Sequence, residues 1–76
     1  MKKRNTAGLI IKQIGAKVEL LRIVKGFTKA QLAKKAKIAI SSLRDVEKAR
    51  RSTHLSTLFK ISKALCVEVS DLFPNE

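Results

Sequence analysis

Side chains that can hydrogen-bond or carry charge recur near the middle of the chain at the spacing of one helix face. They are Ser41, Arg44, Asp45 and Lys48, at positions i, i+3, i+4 and i+7. The Arg44 guanidinium can donate two bonds to O6 and N7 of guanine, and the Ser41 hydroxyl can bond several base edges. The Asp45 carboxylate can accept from N4 of cytosine, or it is a plain surface residue. This stripe indicates a helix able to read bases in a major groove.

The same segment has an apolar side that would anchor such a helix. Leu43 and Val46 are predicted to point inward from a helix over residues 40–48. Ile40, at its start, either packs on a thymine methyl group or turns into the core. A short helix is predicted just before it, because Thr28-Lys29-Ala30-Gln31 has the form of a capping box. Two short helices joined by a tight turn are typical of a helix-turn-helix motif.

The charge of the chain favours an anionic partner. Seventeen Lys and Arg against six Asp and Glu give a net charge of +11. Residues 22–51 alone contain ten basic and two acidic residues, so the positive charge surrounds the predicted motif. Such an excess on one small domain implies nucleic acid first and an acidic membrane second. Phosphate contacts are predicted from the start of the second helix and from the basic residues around the third: Thr28, Lys29, Lys48, Arg50 and Arg51.

The remaining elements are also helical by their spacing. An apolar stripe predicts a first helix over residues 9–25, ended by Gly26, and a second stripe predicts a fourth helix from Leu55 to Leu65. Ser70 is predicted to cap a final short turn that Pro74 stops. The fold class is therefore all-α: a compact five-helix domain over residues 9–76, preceded by a basic arm at residues 1–8.

The spacing of these motifs resembles the lambda-repressor-like helix-turn-helix family. The resemblance is carried by Gly26 to Ala33, Leu43-x-x-Val46-Glu47, the stripe from Leu55 to Val67 and Asp71-Leu72-Phe73, and it covers about residues 10–73. It implies a sequence-specific transcriptional regulator of double-stranded DNA that works as a homodimer on an inverted repeat. It also implies base contacts at Ile40 and Ser41, and a partly buried ion pair between Arg22 and Glu47 that orients the third helix.

The chain departs from the family pattern at five positions. Lys29 replaces a Gln that touches both base and phosphate, so only the phosphate role is expected of it. Glycines are usual where Lys37, Ala49 and Cys66 stand, and a Ser or Thr cap is usual where Ala39 stands. A non-Gly residue at positive φ is uncommon, and a missing cap costs about 1 kcal/mol. We expect the fold to be kept despite these five departures, whereas the details of base contact depend on them.

Several apolar residues near the C-terminus have two open interpretations. Phe59 lies off the stripe of the fourth helix. Together with Val67, Val69 and Phe73, it belongs either to the core or to a two-fold dimer interface formed by the fourth and fifth helices.

The sequence contains no set of residues that indicates catalysis or the binding of a cofactor or metal. One His, one Cys and no clustered carboxylates leave no acid–base pair and no metal site to propose, so no enzyme, cofactor or metal is expected. No apolar run is long enough for a membrane span, and the expected location is the cytoplasm. Two alternatives remain: an antitoxin-type protein-interaction module that also binds DNA, and a non-specific nucleic-acid or ribosome-associated protein. RNA polymerase or a toxin protein are the further candidate partners.

Overall fold

A computed structural model describes residues 6–50 and 53–74 of the chain. In these ranges the chain forms four α-helices and a closing 3-10 helix, with no strand: α1 (Thr6–Val24), α2 (Lys29–Ala36), α3 (Ile40–Glu47), α4 (Leu55–Leu65) and the 3-10 helix (Val69–Leu72). The all-α class is confirmed, while α1 begins before residue 9. None of the helices in the described ranges has the length and apolar character to cross a bilayer.

The predicted count of five helices is wrong, because the last element is one turn of 3-10 helix. The backbone N–H groups of Asp71 and Phe73 donate to the carbonyls of Glu68 (2.9 Å) and Ser70 (3.2 Å), which is the i to i+3 pattern of a 3-10 helix. Glu68, rather than Ser70, occupies the N-cap, and its N–H donates to the Asp71 carboxylate at 3.0 Å. Pro74 follows directly, so the turn cannot lengthen into an α-helix.

The core is aliphatic, as expected from a chain with three Phe and no Trp or Tyr. Every element contributes to it, and its largest fully buried side chains are Val18, Leu32, Leu43, Ile61, Leu65 and Leu72. Phe27 packs at its edge and is only half-buried. Burial of such side chains stabilises the fold by about 1.5–3 kcal/mol each before entropy is counted, so one shared core holds all five elements.

The buried side of α1 includes Gly15, which the apolar pattern missed. Gly15, Val18 and Arg22 lie on one helix face and are all buried. A Cβ at Gly15 would stand 2.3 Å from the carbonyl oxygen of Val46, so only glycine lets α1 cross the end of α3 this closely. The crossing carries Arg22, two turns further along α1, to the C-terminal end of α3.

Three residues hold a left-handed backbone where the family pattern has glycine. Lys37 has φ 60°, Ala49 has φ 54° and Cys66 has φ 61°. Lys37 and Cys66 are the C-caps of α2 and α4, and their N–H groups return to carbonyls of the last helical turn. The turn geometry is therefore kept without the residue type that adopts it most easily.

Candidate nucleic-acid interface

Helix α3 presents the predicted reading stripe away from the core. Leu43 and Val46 are buried, while Ser41 and Arg44 are exposed and Asp45 is half-buried. Ile40 is 40% exposed, which places it on the outer side and not in the core. The structure thus places Ile40, Ser41 and Arg44 on the accessible side of α3, while Asp45 lies on the same helix but is half-buried.

The first turn of α3 also offers free backbone donors. Ala39 is the N-cap and makes no side-chain cap bond, and its carbonyl accepts the N–H groups of Ser42 and Leu43. Among the described residues, the N–H groups of Ile40 and Ser41 have no acceptor. Such groups, at the positive end of a helix dipole, suit an anion or a base acceptor.

The start of α2 forms the capping box that the sequence predicted. The Gln31 N–H donates to Thr28 Oγ1 at 3.0 Å, and the Thr28 N–H donates to Gln31 Oε1 at 2.9 Å. The Thr28 N–H is therefore occupied, whereas the N–H groups of Lys29 and Ala30 have no acceptor in the described part of the chain. The Thr28 hydroxyl can still donate its own proton outward. This end of α2 is suited to holding a phosphate.

An ion pair joins α1 to the far end of α3. Arg22 Nε donates to Glu47 Oε2 at 2.8 Å, and the side chains are 10% and 2% exposed. Arg22 Nη1 also donates to the carbonyl of Phe27 at 2.9 Å, which connects the same guanidinium to the segment before α2. One buried side chain thus links the three segments that orient the helix-turn-helix.

Lys29 has a neighbour that sequence reasoning did not anticipate. Its Nζ lies 3.9 Å from Glu47 Oε1, and its side chain is 35% exposed. The Glu47 carboxylate therefore lies between a buried guanidinium and a lysine that reaches solvent. Lys29 is near enough to the surface to meet a phosphate while it still offsets the Glu47 charge.

The basic residues after α3 extend the positive surface. Lys48 is the C-cap of α3, one residue beyond the helix, and both Lys48 and Arg50 are exposed. The Arg50 N–H donates to the carbonyl of Asp45 at 3.0 Å, which turns this segment back over the end of α3. Arg51, also predicted to contact phosphate, lies outside the described residues.

The four residues predicted for a dimer interface divide into two groups. Phe59 and Phe73 are 48% and 37% exposed, whereas Val67 and Val69 are half-buried against the core. Leu55, one turn before Phe59 on α4, is also 55% exposed and was missed. A second exposed apolar group lies on α1, and it was also missed: Leu9, Leu20, Ile23 and Val24.

The fold and this site define a helix-turn-helix protein. The family model described as Helix-turn-helix (HTH_3) matches residues 18–72, and the chain belongs to that family. The chain thus contains the helix-turn-helix domain of this family, whose members are not enzymes. The resemblance seen in the sequence is confirmed.

Individual relatives agree with the family. The chain is 35% identical over 63 residues to an immunity repressor protein of Bacillus phage phi105; this covers 83% of the chain and 44% of that protein, so the chain spans less than half of its length. The restriction-modification controller protein C.AhdI from Aeromonas hydrophila superposes with a TM-score of 0.80 at 28% identity, over 83% and 96% of the two chains. The N-terminal DNA-binding domain of SinR from Bacillus subtilis superposes with a TM-score of 0.77 at 32% sequence identity. The match covers 80% of this chain and 90% of that domain's chain.

Proposed function

We propose that this chain is a transcriptional regulator that binds double-stranded DNA sequence-specifically, with α3 in the major groove. The observation that carries the proposal is the outer face of α3, where Ile40, Ser41 and Arg44 are exposed on a helix anchored by buried Leu43 and Val46. A major groove admits one α-helix, and the side chains on its outer face then reach base edges. The superposition on the N-terminal DNA-binding domain of SinR supports the same use of the motif.

The roles divide between residues that read bases and residues that hold phosphate. Arg44 is assigned to guanine, Ser41 to a neighbouring base edge, Ile40 to a thymine methyl and Asp45 to cytosine N4. The phosphate contacts are assigned to the start of α2 and the segment after α3: Thr28, Lys29, Lys48, Arg50 and Arg51. Phosphate contacts position the domain on the duplex, while only the α3 contacts distinguish sequences.

The proposed active form is a homodimer on an inverted repeat. Phe59 and Leu55 are exposed on the same side of α4, one turn apart, and Phe73 is exposed just after the 3-10 helix. A second copy related by a two-fold axis would cover these apolar side chains. Two α3 helices would then meet major grooves about 34 Å apart. Transcription would be controlled by occupancy of that site.

The division of roles is tested with two alanine variants on a specific and a random duplex. Arg44→Ala should weaken the specific duplex by about 1–3 kcal/mol and relax preference at one base position. Lys29→Ala should weaken both duplexes about equally and flatten the dependence of log affinity on log salt by about one unit. Lys12→Ala, at an exposed lysine on α1, is the matched control and should leave the salt slope unchanged. Identical behaviour of the Arg44 and Lys29 variants would overturn the assignment.

A further inference from the structure

A cleft of about 310 Å³ lies between the ends of α2 and α4. It is lined by Lys35, Ala36, Lys37, Lys60, Lys63 and Ala64. The two alanines are buried, and all the other lining residues are lysines. None of the lining residues belongs to α3 or to the start of α2, and the cleft is therefore separate from the interface proposed above.

The positive charge in this cleft is not balanced by nearby acids. Neither α2 nor α4 contains an Asp or Glu. Within residues 6–50 and 53–74, no carboxylate pairs with Lys37, Lys60 or Lys63. The ammonium group of Lys35 lies 5.1 Å from the centre of the Phe27 ring, which is a cation–π contact and leaves its charge in place. Four lysines therefore line one cleft, and an anion bound there would reduce the repulsion among their charges.

The ends of the two helices reduce this positive charge only in part. Each helix C-terminus carries about −0.5 of a charge, so the two ends lower four positive charges to about +3. Two carbonyls at each end also accept a backbone bond: the Lys37 N–H donates to those of Ala33 and Lys34, and the Cys66 N–H donates to those of Ser62 and Lys63. Favourable interaction with the negative helix ends accounts for the presence of Lys35 and Lys63, because both lie in the last turn of their helix. It does not explain Lys60, which lies before the last turn of α4.

We propose that this lysine cleft binds a phosphate-bearing anion. Lysine is a compact, strongly charged donor that binds phosphate as a point charge, and four of them surround a space of small-ligand size. Two sources share this chemistry: a free polyphosphate, and consecutive phosphates of a nucleic-acid backbone. The site does not depend on the proposed reading of bases by α3.

The first test is titration with inorganic tripolyphosphate at physiological ionic strength, followed by calorimetry and by the amide resonances of Ala36 and Ala64. The expected result is saturable one-to-one binding that the double variant Lys60→Gln/Lys63→Gln weakens at least tenfold. The matched control is Lys12→Gln/Lys25→Gln, which removes the same charge from exposed lysines outside the cleft and should weaken binding less than threefold.

A second arm separates the two sources with duplex DNA. If the cleft binds a DNA backbone, Lys60→Gln/Lys63→Gln should flatten the dependence of log DNA affinity on log salt. The slope should change by about one to two units more than in the control. If the ligand is a free anion, the two double variants have the same DNA salt slope and differ only with tripolyphosphate. Equal effects of both double variants in both assays would overturn the proposal, because the attraction would then be diffuse.

Lys37 provides an independent check, since its backbone is left-handed. Lys37→Gly should raise the unfolding midpoint, because glycine adopts this conformation without strain, and should lower tripolyphosphate affinity several-fold. An unchanged affinity in this better-folded variant would contradict a role for Lys37 in the cleft.

Discussion

Arg22 and Glu47 show how a charged side chain can serve the core of a small helical domain. The guanidinium is buried and makes bonds to Glu47 and to the Phe27 carbonyl, so its donors are directed to fixed acceptors. The Glu47 carboxylate is 2% exposed and would be costly to leave unpaired. The pair therefore couples the orientation of α3 to α1 more strongly than a surface ion pair could.

Loss of the guanidinium should destabilise the domain strongly. Arg22→Met is expected to lower the free energy of unfolding by about 3–5 kcal/mol, because Glu47 stays buried and Lys29 is then its one remaining cation among the described residues. Urea unfolding measures this change. Glu19→Gln is the control: its carboxylate is 4.0 Å from the same guanidinium but 49% exposed, so a loss within about 0.5 kcal/mol is expected. Similar losses in both variants would show that burial of the pair contributes little.

At the left-handed positions, substitution by glycine should stabilise the protein, whereas in the middle of a helix it should destabilise it. Ala49→Gly should raise the free energy of unfolding by about 0.5–1 kcal/mol, because Ala49 has φ 54° and glycine removes the clash of the Cβ atom. The same change at Ala16, exposed in the middle of α1, should lower it by a similar amount. Thermal melts of the two variants compare the signs directly. A loss at both positions would mean that Ala49 is not strained.

Among the elements, the contact between α1 and α3 depends most on a single residue. A Cβ at Gly15 would meet the backbone oxygens of Val46 and Glu47 at 2.3 Å and 3.0 Å, and backbone atoms cannot turn aside as a side chain can. This crossing brings Arg22 within reach of Glu47. Glycine in the middle of a helix normally costs stability, and here the close packing of two helices offsets that cost.

Gly15→Ala should therefore move α1 away from the end of α3 despite the better helix propensity of alanine. We expect a loss of about 1–3 kcal/mol in the free energy of unfolding, the usual cost of overpacking, and weaker binding of the specific duplex. Gln13→Ala, exposed on the same helix, should be neutral or slightly stabilising. Urea unfolding and amide shifts of α3 report the two effects. A stabilised Gly15→Ala variant would contradict the packing described here.

Much of the architecture could be predicted from local signals. The capping box at Thr28 and Gln31 and the apolar pair Leu43 and Val46 give the two helices of the motif, because both signals act within one or two turns. Gly15 and Ser62 could not be placed on the buried side in this way. A glycine contributes no hydrophobicity, and the buried Ser62 is acceptable only because its hydroxyl donates to the Phe59 carbonyl at 2.9 Å.

The sequence predicts which residues form the candidate site better than it predicts the contacts that those residues make. The spacing of Ser41 and Arg44 is enough by itself to place both residues on the outer face of α3. The proximity of Lys29 to Glu47 depends on how α1, α2 and α3 pack together, so no local pattern contains it. The lysine cleft has the same origin: Lys35 and Lys60 are 25 positions apart in sequence, and only the packing of α2 on α4 makes them neighbours.

At the scale of the whole molecule, two exposed apolar surfaces could hold a second copy. The proposal places it on the side of α4 that carries Phe59, so Phe59→Ser should weaken the dimer at least tenfold in analytical ultracentrifugation. Leu20→Ser removes an apolar side chain of similar exposure from α1 (55% against 48%) and should leave the dimer intact. Dissociation by the Leu20 variant alone would transfer the interface to α1.

The most direct measurement is selection of a random duplex library on the purified protein at about 0.15 M salt, where loose surface attraction is screened. Enrichment of an inverted repeat with half-site centres about one helical turn apart is expected. The Arg44→Ala variant should select the same repeat with relaxed preference at one base pair in each half. Binding without enrichment of any sequence would contradict base reading by α3, and the positive charge would then serve a non-specific or protein partner.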